Sequence, residues 1–300
     1  LIAAGFVLML INLYRCAAHV FFSKDVMLNN GRKQLALTVI VLVLMLALCG
    51  LYGYIYSIYY LSGWIVVLVL AAILLFTVAL SWFFSQIKGM RLRSLEMLEA
   101  LVGVIEAGDP NLDGHSLYVH KLSMLIYNRL PLLSKLSINP NNLHYAALLL
   151  DVGKLGVPRR IIDKSGKLAD DEWEMVRRHP EIGVKILGSI RSFDTISTWI
   201  KYHHERIDGT GYYHIKGPEI PLASRILAVA DTYSAITMER SYKATRNYEE
   251  ALSELRLAAG SQLDSELVGI FCRIPQSAIE KAFAEVMEKM QGYQEESFRD

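Results

Sequence analysis

From position 202 the chain reads Tyr202-His203-His204-Glu205-Arg206-Ile207-Asp208-Gly209-Thr210-Gly211-Tyr212. Neighbouring side chains on a helix diverge by about 100°, so two adjacent histidines cannot serve one ligand from mid-helix. Both become useful when the helix ends and the ligand sits at its terminus. The stretch therefore reads as the end of a helix over 193–202, with a long loop over 205–221 behind it. Outward from there the pattern stays helical almost throughout. Further helices are predicted over 110–130, 141–152, 170–178, 180–187, 222–237, 248–258, 265–271 and 277–291. The first opens on Asp109-Pro110, an N-cap followed by proline at the first helical position. The last places Ile279, Phe283, Val286, Met287 and Met290 on one face, enough to dock on a core. Period-two alternation is scarce, so the C-terminal domain is expected to be all-α, with functional loops at 153–167 and 205–221.

Histidines and carboxylates fall at the ends of these segments. His115 lies in the first helix and Asp151 at the end of the second. His179 precedes Pro180, and Asp231 sits within Ala230-Asp231-Thr232-Tyr233. Taken singly, any of these histidines reads more readily as a surface or satisfied core residue. Together with His203 and His204 they supply imidazoles and carboxylates from several helices, the donor set that first-row divalent metals require.

Further segments carry a resemblance. Leu149-Leu150-Asp151-Val152-Gly153-Lys154-Leu155-Gly156-Val157-Pro158 is similar to the histidine-aspartate-x-glycine-lysine segment of the HD-GYP family. Gly166-Lys167 through His179-Pro180-Glu181-Ile182-Gly183 resembles the segment that follows it. His203 to Tyr212 resembles the central signature. Gly217-Pro218-Glu219-Ile220-Pro221, Arg225 to Asp231 and Ser261-Gln262-Leu263-Asp264 continue the match, which runs from about 109 to 271. The resemblance implies metal-dependent hydrolysis of cyclic di-GMP, with iron or manganese as the metal. Asp151 would bridge two ions; His179, His203 and His204 would complete one site, and His115 and Asp231 would belong to the other. A metal-bound hydroxide would attack phosphorus. Lys154, Tyr212, Arg240 and Lys243 match positions that face the nucleotide, the three cations contacting its phosphates.

The match has gaps. Leu150 stands where the family has a histidine, and leucine offers no lone pair to a metal. His144 lies on the same helix roughly 10 Å away and cannot replace it. Tyr213 replaces a proline, Tyr118 an arginine and Ser234 an aspartate. Asn111 stands where three-metal members have a glutamate, so no third ion is expected. Three readings follow: a cyclic di-GMP-responsive signalling protein with hydrolysis weakened or lost, an active phosphodiesterase that tolerates Leu150, and a non-catalytic interaction module. A nucleotide phosphohydrolase of the wider HD superfamily fits the loop at 209–212 less well.

The first third has a different composition. No charged residue occurs between Lys33 and Lys88. As one helix that run would reach about 80 Å against a hydrocarbon core of ~30 Å. It is expected to fold back near 60–63, giving spans near 35–59 and 64–84, with an earlier truncated one over 1–14. Tyrosines 52, 54, 56, 59 and 60 and Trp64 crowd that turn as an interfacial belt would. Lys24, Arg32 and Lys33 on one side, with Lys88, Arg91 and Arg93 on the other, place both basic flanks in the cytoplasm. The expected organisation is a transmembrane region over 1–87, a connecting helix over 88–108 and an HD-GYP domain over 109–300, held at a bacterial inner membrane. Leu95, Leu98, Val102 and Ile105 suggest either a short coiled-coil seam for a homodimer through 90–107 or packing on the domain's own core. A net charge of +1 gives no field to draw a nucleic acid polymer. The three cysteines form no CxxC pair.

Overall fold

The computed structural model describes residues 63–107, 114–164, 166–238 and 247–297, together with Ile11, Tyr14, Ala47, Gly50 and Tyr54. Among the described residues every element is helical, and the one backbone bridge, Ala259 to Leu263, is isolated. The chain divides into two units, Leu1–Ser94 and Leu95–Asp300. Helix α1 (Gly63–Ala107) contributes to both, so the second expected span and the connecting helix lie on one element.

In the first unit α1 leaves Leu68, Leu75, Val78 and Trp82 exposed and buries Ile73. Over the described residues no helix is long and apolar enough to cross a membrane. The expected spans over 1–14 and 35–59 lie outside the described residues, apart from five single positions. Only part of the side chains of 64–84 is described.

The second unit is built around α2 (His115–Tyr127). Leu117, Val119, Leu122 and Ile126 are buried on it, and so are His115, Ser116, His120 and Ser123. A helix covered on all sides belongs at the centre of a domain. Its neighbours are α4 (Pro140–Leu149), α9 (Leu222–Thr237) and α12 (Gln276–Ser297). Short helices α3 (Leu132–Leu136), α5 (Arg159–Ile162) and α6 (Asp170–Arg177) lie toward the periphery. The remainder is α7 (His179–Leu187), α8 (Asp194–Lys201), α10 (Tyr248–Ala258) and α11 (Ser265–Phe271). From α12, Ile279, Val286 and Met290 enter the core; Phe283 stays partly exposed and meets Tyr118 edge-on at 5.3 Å.

Boundaries differ from the sequence reading for local reasons. Helix α4 starts one residue early, because the Asn139 side chain accepts the Asn141 amide and Pro140 takes the first turn. It stops at Leu149, and Val152–Gly156 tightens into a 3-10 turn. The expected loop at 153–167 therefore holds a 3-10 turn and α5. The Asp109-Pro110 start lies outside the described residues.

The last turns of α1 are used by this domain. Val102 is buried in its core, Leu98 packs against that core, and Met97 and Leu101 are exposed. Two of the four proposed seam positions are thus spent internally, which favours the packing alternative over the dimer. Glu99 pairs with Lys289, and Glu106 accepts the Ser116 amide at 2.9 Å.

Beside this junction buried His120 meets half-buried His144. His120 Nε2 and His144 Nδ1 share a hydrogen bond, and Glu99 lies 3.7 Å from His120 Nδ1. Burial, reinforced by His144, Lys121 and Lys289, pushes His120 down to about 3. His144 is also lowered by burial, with Glu99 opposing and Lys121 assisting. Between that value and the free-histidine range the unfolded chain binds more protons than the folded one, so stability falls as pH falls. For His120 alone the loss from pH 7 to 5 is about 2 kcal/mol. His120→Phe is expected to flatten the slope of melting temperature against pH over that interval. An unchanged slope in a folded variant would refute the assignment.

Candidate metal centre

Four close approaches assemble the site. The first is at Gly153, where a methyl group would meet the His179 carbonyl oxygen at 1.8 Å and the Gly183 nitrogen at 2.6 Å. Only glycine lets the 3-10 turn lie this near α7, and the contact brings Asp151 beside His179. The second is Gly114, at φ 77°, which turns the chain into α2 just ahead of His115. The third is the end of α8, where His203 and His204 follow Lys201 in a turn. The fourth is the loop behind them. The buried Glu205 carboxylate accepts the amides of Tyr213 at 2.6 Å and Ile215 at 3.0 Å. A methyl at Gly211 would sit 2.7 Å from the Glu205 Cα. Asp208 closes the same loop by accepting from Arg206 and Thr210, and the chain pairs onward to Ser261 and Gln262.

The imidazole nitrogens of His179, His203 and His204 that are free to ligate lie within 4.8 Å of one another. Asp151 stands between this trio and a second pair. Its Oδ1 is 3.4 Å from His179 Nε2, and its Oδ2 is 3.7 Å from His115 Nε2. His115 Nε2 is in turn 3.1 Å from Asp231 Oδ1. Lys154 Nζ donates to Asp151 Oδ2 at 2.7 Å, so this lysine is engaged with the carboxylate. Tyr212 stacks on His204 at 4.8 Å. Arg240 and Lys243 lie outside the described residues.

Proton placement follows from the partners. A carbonyl only accepts, so His179 Nδ1–H donates to Val176 O at 2.7 Å and His203 Nδ1–H to Ile200 O at 2.6 Å. Both rings then turn a lone pair inward on Nε2. Ser234 gives its hydroxyl proton to Met238 Sδ and so accepts from His115 Nδ1 at 2.8 Å. The Nε2 atoms of His115, His179 and His203 are buried with no hydrogen-bond partner; the His115–Asp231 approach is close but misaligned for one. Burial pushes His179 down to about 4 and His204 well below the ordinary histidine range, so both are neutral at pH 7. Burial alone would raise Asp151, but Lys154 and the imidazoles of His179 and His115 outweigh it and hold the carboxyl well below the usual range. Asp231 is likewise lowered: burial alone would raise it, but the imidazole of His115 beside it, with that of His204, outweighs the burial. Lone pairs and carboxylates facing one another without protons between them suit a bound cation, and carbonyl-fixed Nδ1 atoms are the usual support of ligating histidines.

Sequence reasoning gave no role in the site to three of the participants. Arg177 lies over the Tyr212 ring at 4.9 Å, giving the site mouth a guanidinium. Burial raises the Tyr212 phenol to about 12, keeping it a neutral donor. Ser234 supports His115, and Glu205 braces the loop; a polar side chain two or more helical turns from its partner leaves no periodic signal.

The fold and the site define a helical domain with a histidine–aspartate centre. The chain belongs to the HD domain family, which matches residues 104–267. A 3'3'-cGAMP-specific phosphodiesterase of Vibrio cholerae is 37% identical over 164 residues, 54% of this chain and 35% of the relative. A cyclic di-GMP phosphodiesterase of Pseudomonas aeruginosa is 44% identical over 112 residues, 37% of this chain and 27% of the relative. The chain thus spans between about a quarter and a half of the length of the curated relatives it matches. A solved cyclic GMP-AMP-specific phosphodiesterase of Vibrio cholerae aligns over 67% of this chain and 60% of that one, with 17% identity and a TM-score of 0.46.

Proposed function

We propose that this chain is a cyclic di-GMP-responsive signalling protein whose HD domain holds one divalent metal at His179, His203, His204 and Asp151, with phosphodiester hydrolysis weak or lost. The observation that carries the reading is the inward-facing set of deprotonated imidazole nitrogens around a carboxylate kept ionised. The names of the relatives support a cyclic dinucleotide as the ligand, and iron or manganese suits a mixed imidazole–carboxylate donor set.

When bound, a divalent ion supplies a polarised water at neutral pH. Asp151 and the trio hold that ion's position. Lys154 keeps Asp151 ionised, and on nucleotide binding its charge faces the phosphate. Tyr212, backed by Arg177, presents a neutral phenol and an aromatic face to a base. Arg240 and Lys243 complete the phosphate contacts in this reading. His115 and Asp231 retain a second, poorer site, since Leu150 gives nothing to it.

A second reading, an active phosphodiesterase, is favoured by the 3.1 Å approach of His115 to Asp231 beside the shared Asp151. Metal analysis of anaerobically purified protein, followed by calorimetry with cyclic di-GMP and with 3'3'-cGAMP, separates the possibilities. We expect about one metal per chain, cyclic di-GMP binding and no linear product. Product above a metal-only blank selects the enzyme. Metal-free protein that binds neither nucleotide leaves the interaction module and removes our reading.

Anchoring in the bacterial inner membrane, with the HD domain in the cytoplasm, belongs to the same proposal. It is supported by the uncharged run from 34 to 87 and by exposed Leu68, Leu75, Val78 and Trp82 on α1. A homodimer through 90–107 could draw on Met97 and Leu101, which are exposed.

A further inference from the structure

Helix α3 forms the corner between α2 and α4 and turns its leucines to solvent. Leu132, Leu133 and Leu136 are 73%, 82% and 57% exposed, and Leu133 is the most exposed large hydrophobic residue among those described. At about 100° per residue the three side chains fall within one arc of the turn. The corner is held firmly: Leu130 and Ile138 on either side are buried, and Pro131 O accepts the Lys135 amide at 3.0 Å. The leucines are thus displayed on a fixed turn.

Beside them stand two cations. Arg129 Nη1 donates to Leu125 O at 3.1 Å and Lys135 Nζ to Asn128 O at 2.7 Å, which keeps both charges at the corner. Among the described residues neither pairs with a carboxylate, and the sequence from 114 to 150 contains no Asp or Glu. The other cation of that stretch, Lys121, is engaged with Glu285. An apolar tip flanked by unpaired cations is complementary to an anionic bilayer surface: leucines enter the acyl boundary and cations meet headgroup phosphates. A protein partner fits less well, because a standard interface takes about 800 Å² from each side and three side chains on a five-residue helix offer far less.

We propose that α3 is an interfacial contact for an anionic phospholipid surface, with Leu132, Leu133 and Leu136 in the acyl boundary and Arg129 and Lys135 on headgroup phosphates. The metal and nucleotide reading has no part in it. It rests on the inner-membrane reading only for the bilayer at hand, whose cytoplasmic leaflet carries the anionic lipids. A small contact suffices there, since a chain tethered to the membrane meets it at high effective concentration.

The test uses the full chain in vesicles of phosphatidylcholine, with and without phosphatidylglycerol. The fluorophore NBD is attached at Leu133→Cys, in a chain carrying Cys16→Ser, Cys49→Ser and Cys272→Ser. With phosphatidylglycerol present, its emission should shift to the blue and be quenched by doxyl-labelled lipid, while a label at exposed Ser189→Cys stays in water. Arg129→Gln and Lys135→Gln should each lower the ratio of lipid-buried to water-exposed label about five-fold. Hydrogen exchange of the unmodified chain is a second readout that needs no variant: amides of 131–138 should exchange more slowly with phosphatidylglycerol than without. Carbonate extraction checks the anchoring separately; a chain stripped from the vesicles refutes the inner-membrane reading, and the label at 133 still decides this one. Emission at 133 that ignores phosphatidylglycerol, equal quenching at 189, or self-quenching between labels that marks a second copy overturns the proposal.

Discussion

Leu150→His is expected to raise metal content from about one to about two ions per chain and to increase cyclic di-GMP hydrolysis at least ~10²-fold. The position directly precedes Asp151, whose carboxylate already lies between His115 and His179. His115 and Asp231 are 3.1 Å apart and lack only further donors. Changes to groups that merely support ligands cost 10–100-fold, so a missing ligand should cost more, and restoring one should return that factor. The exchange has an opposing effect. Leu150 is 1% exposed and belongs to the core. Burying an imidazole there without metal should destabilise the domain by roughly 2–4 kcal/mol. Metal-free variant should therefore melt below the parent, and added manganese should recover the difference. Elemental analysis and a product assay check the prediction. A folded variant with unchanged metal content and no product would show that position 150 does not reach the centre.

Asp151→Ala is expected to remove the metal altogether, lowering affinity by more than ~100-fold, and to abolish any hydrolysis. No other carboxylate lies within 4 Å of both His115 and His179 among the described residues. Lys154 loses its 2.7 Å partner at the same time, a loss of about 1–3 kcal/mol in the metal-free protein. Asp151→Asn keeps the shape and removes the charge, so it separates the two effects: metal binding should fail in both variants, and stability mainly in alanine. Retention of stoichiometric metal by the asparagine variant would contradict a bridging carboxylate.

The local chemistry of this fold was largely legible. Helices 248–258 and 265–271 begin where the sequence reading places them, because the side chains of Asn247 and Asp264 each accept amides of the first turn that follows. Where distant groups decide, the sequence reading slipped. The helical pattern carries α4 through 152, but the chain tightens after Leu149 so that Gly153 can meet α7. Leu98 and Val102 look equally suited to a partner chain and to the domain core; only their packing distinguishes the two. Tyr118, a departure from the resemblance, joins Tyr233 and Phe283 in an aromatic cluster.

By itself the sequence determined an all-α domain, the metal-type donors and the motif order, because helical period, capping and side-chain chemistry act within a few residues. Tertiary structure alone decided how near Asp151 comes to the histidine trio on one side and to the His115–Asp231 pair on the other, and that Lys154 is bound to it. Those relations join residues tens of positions apart, and their distances are set by how closely helices pack, which no local pattern records.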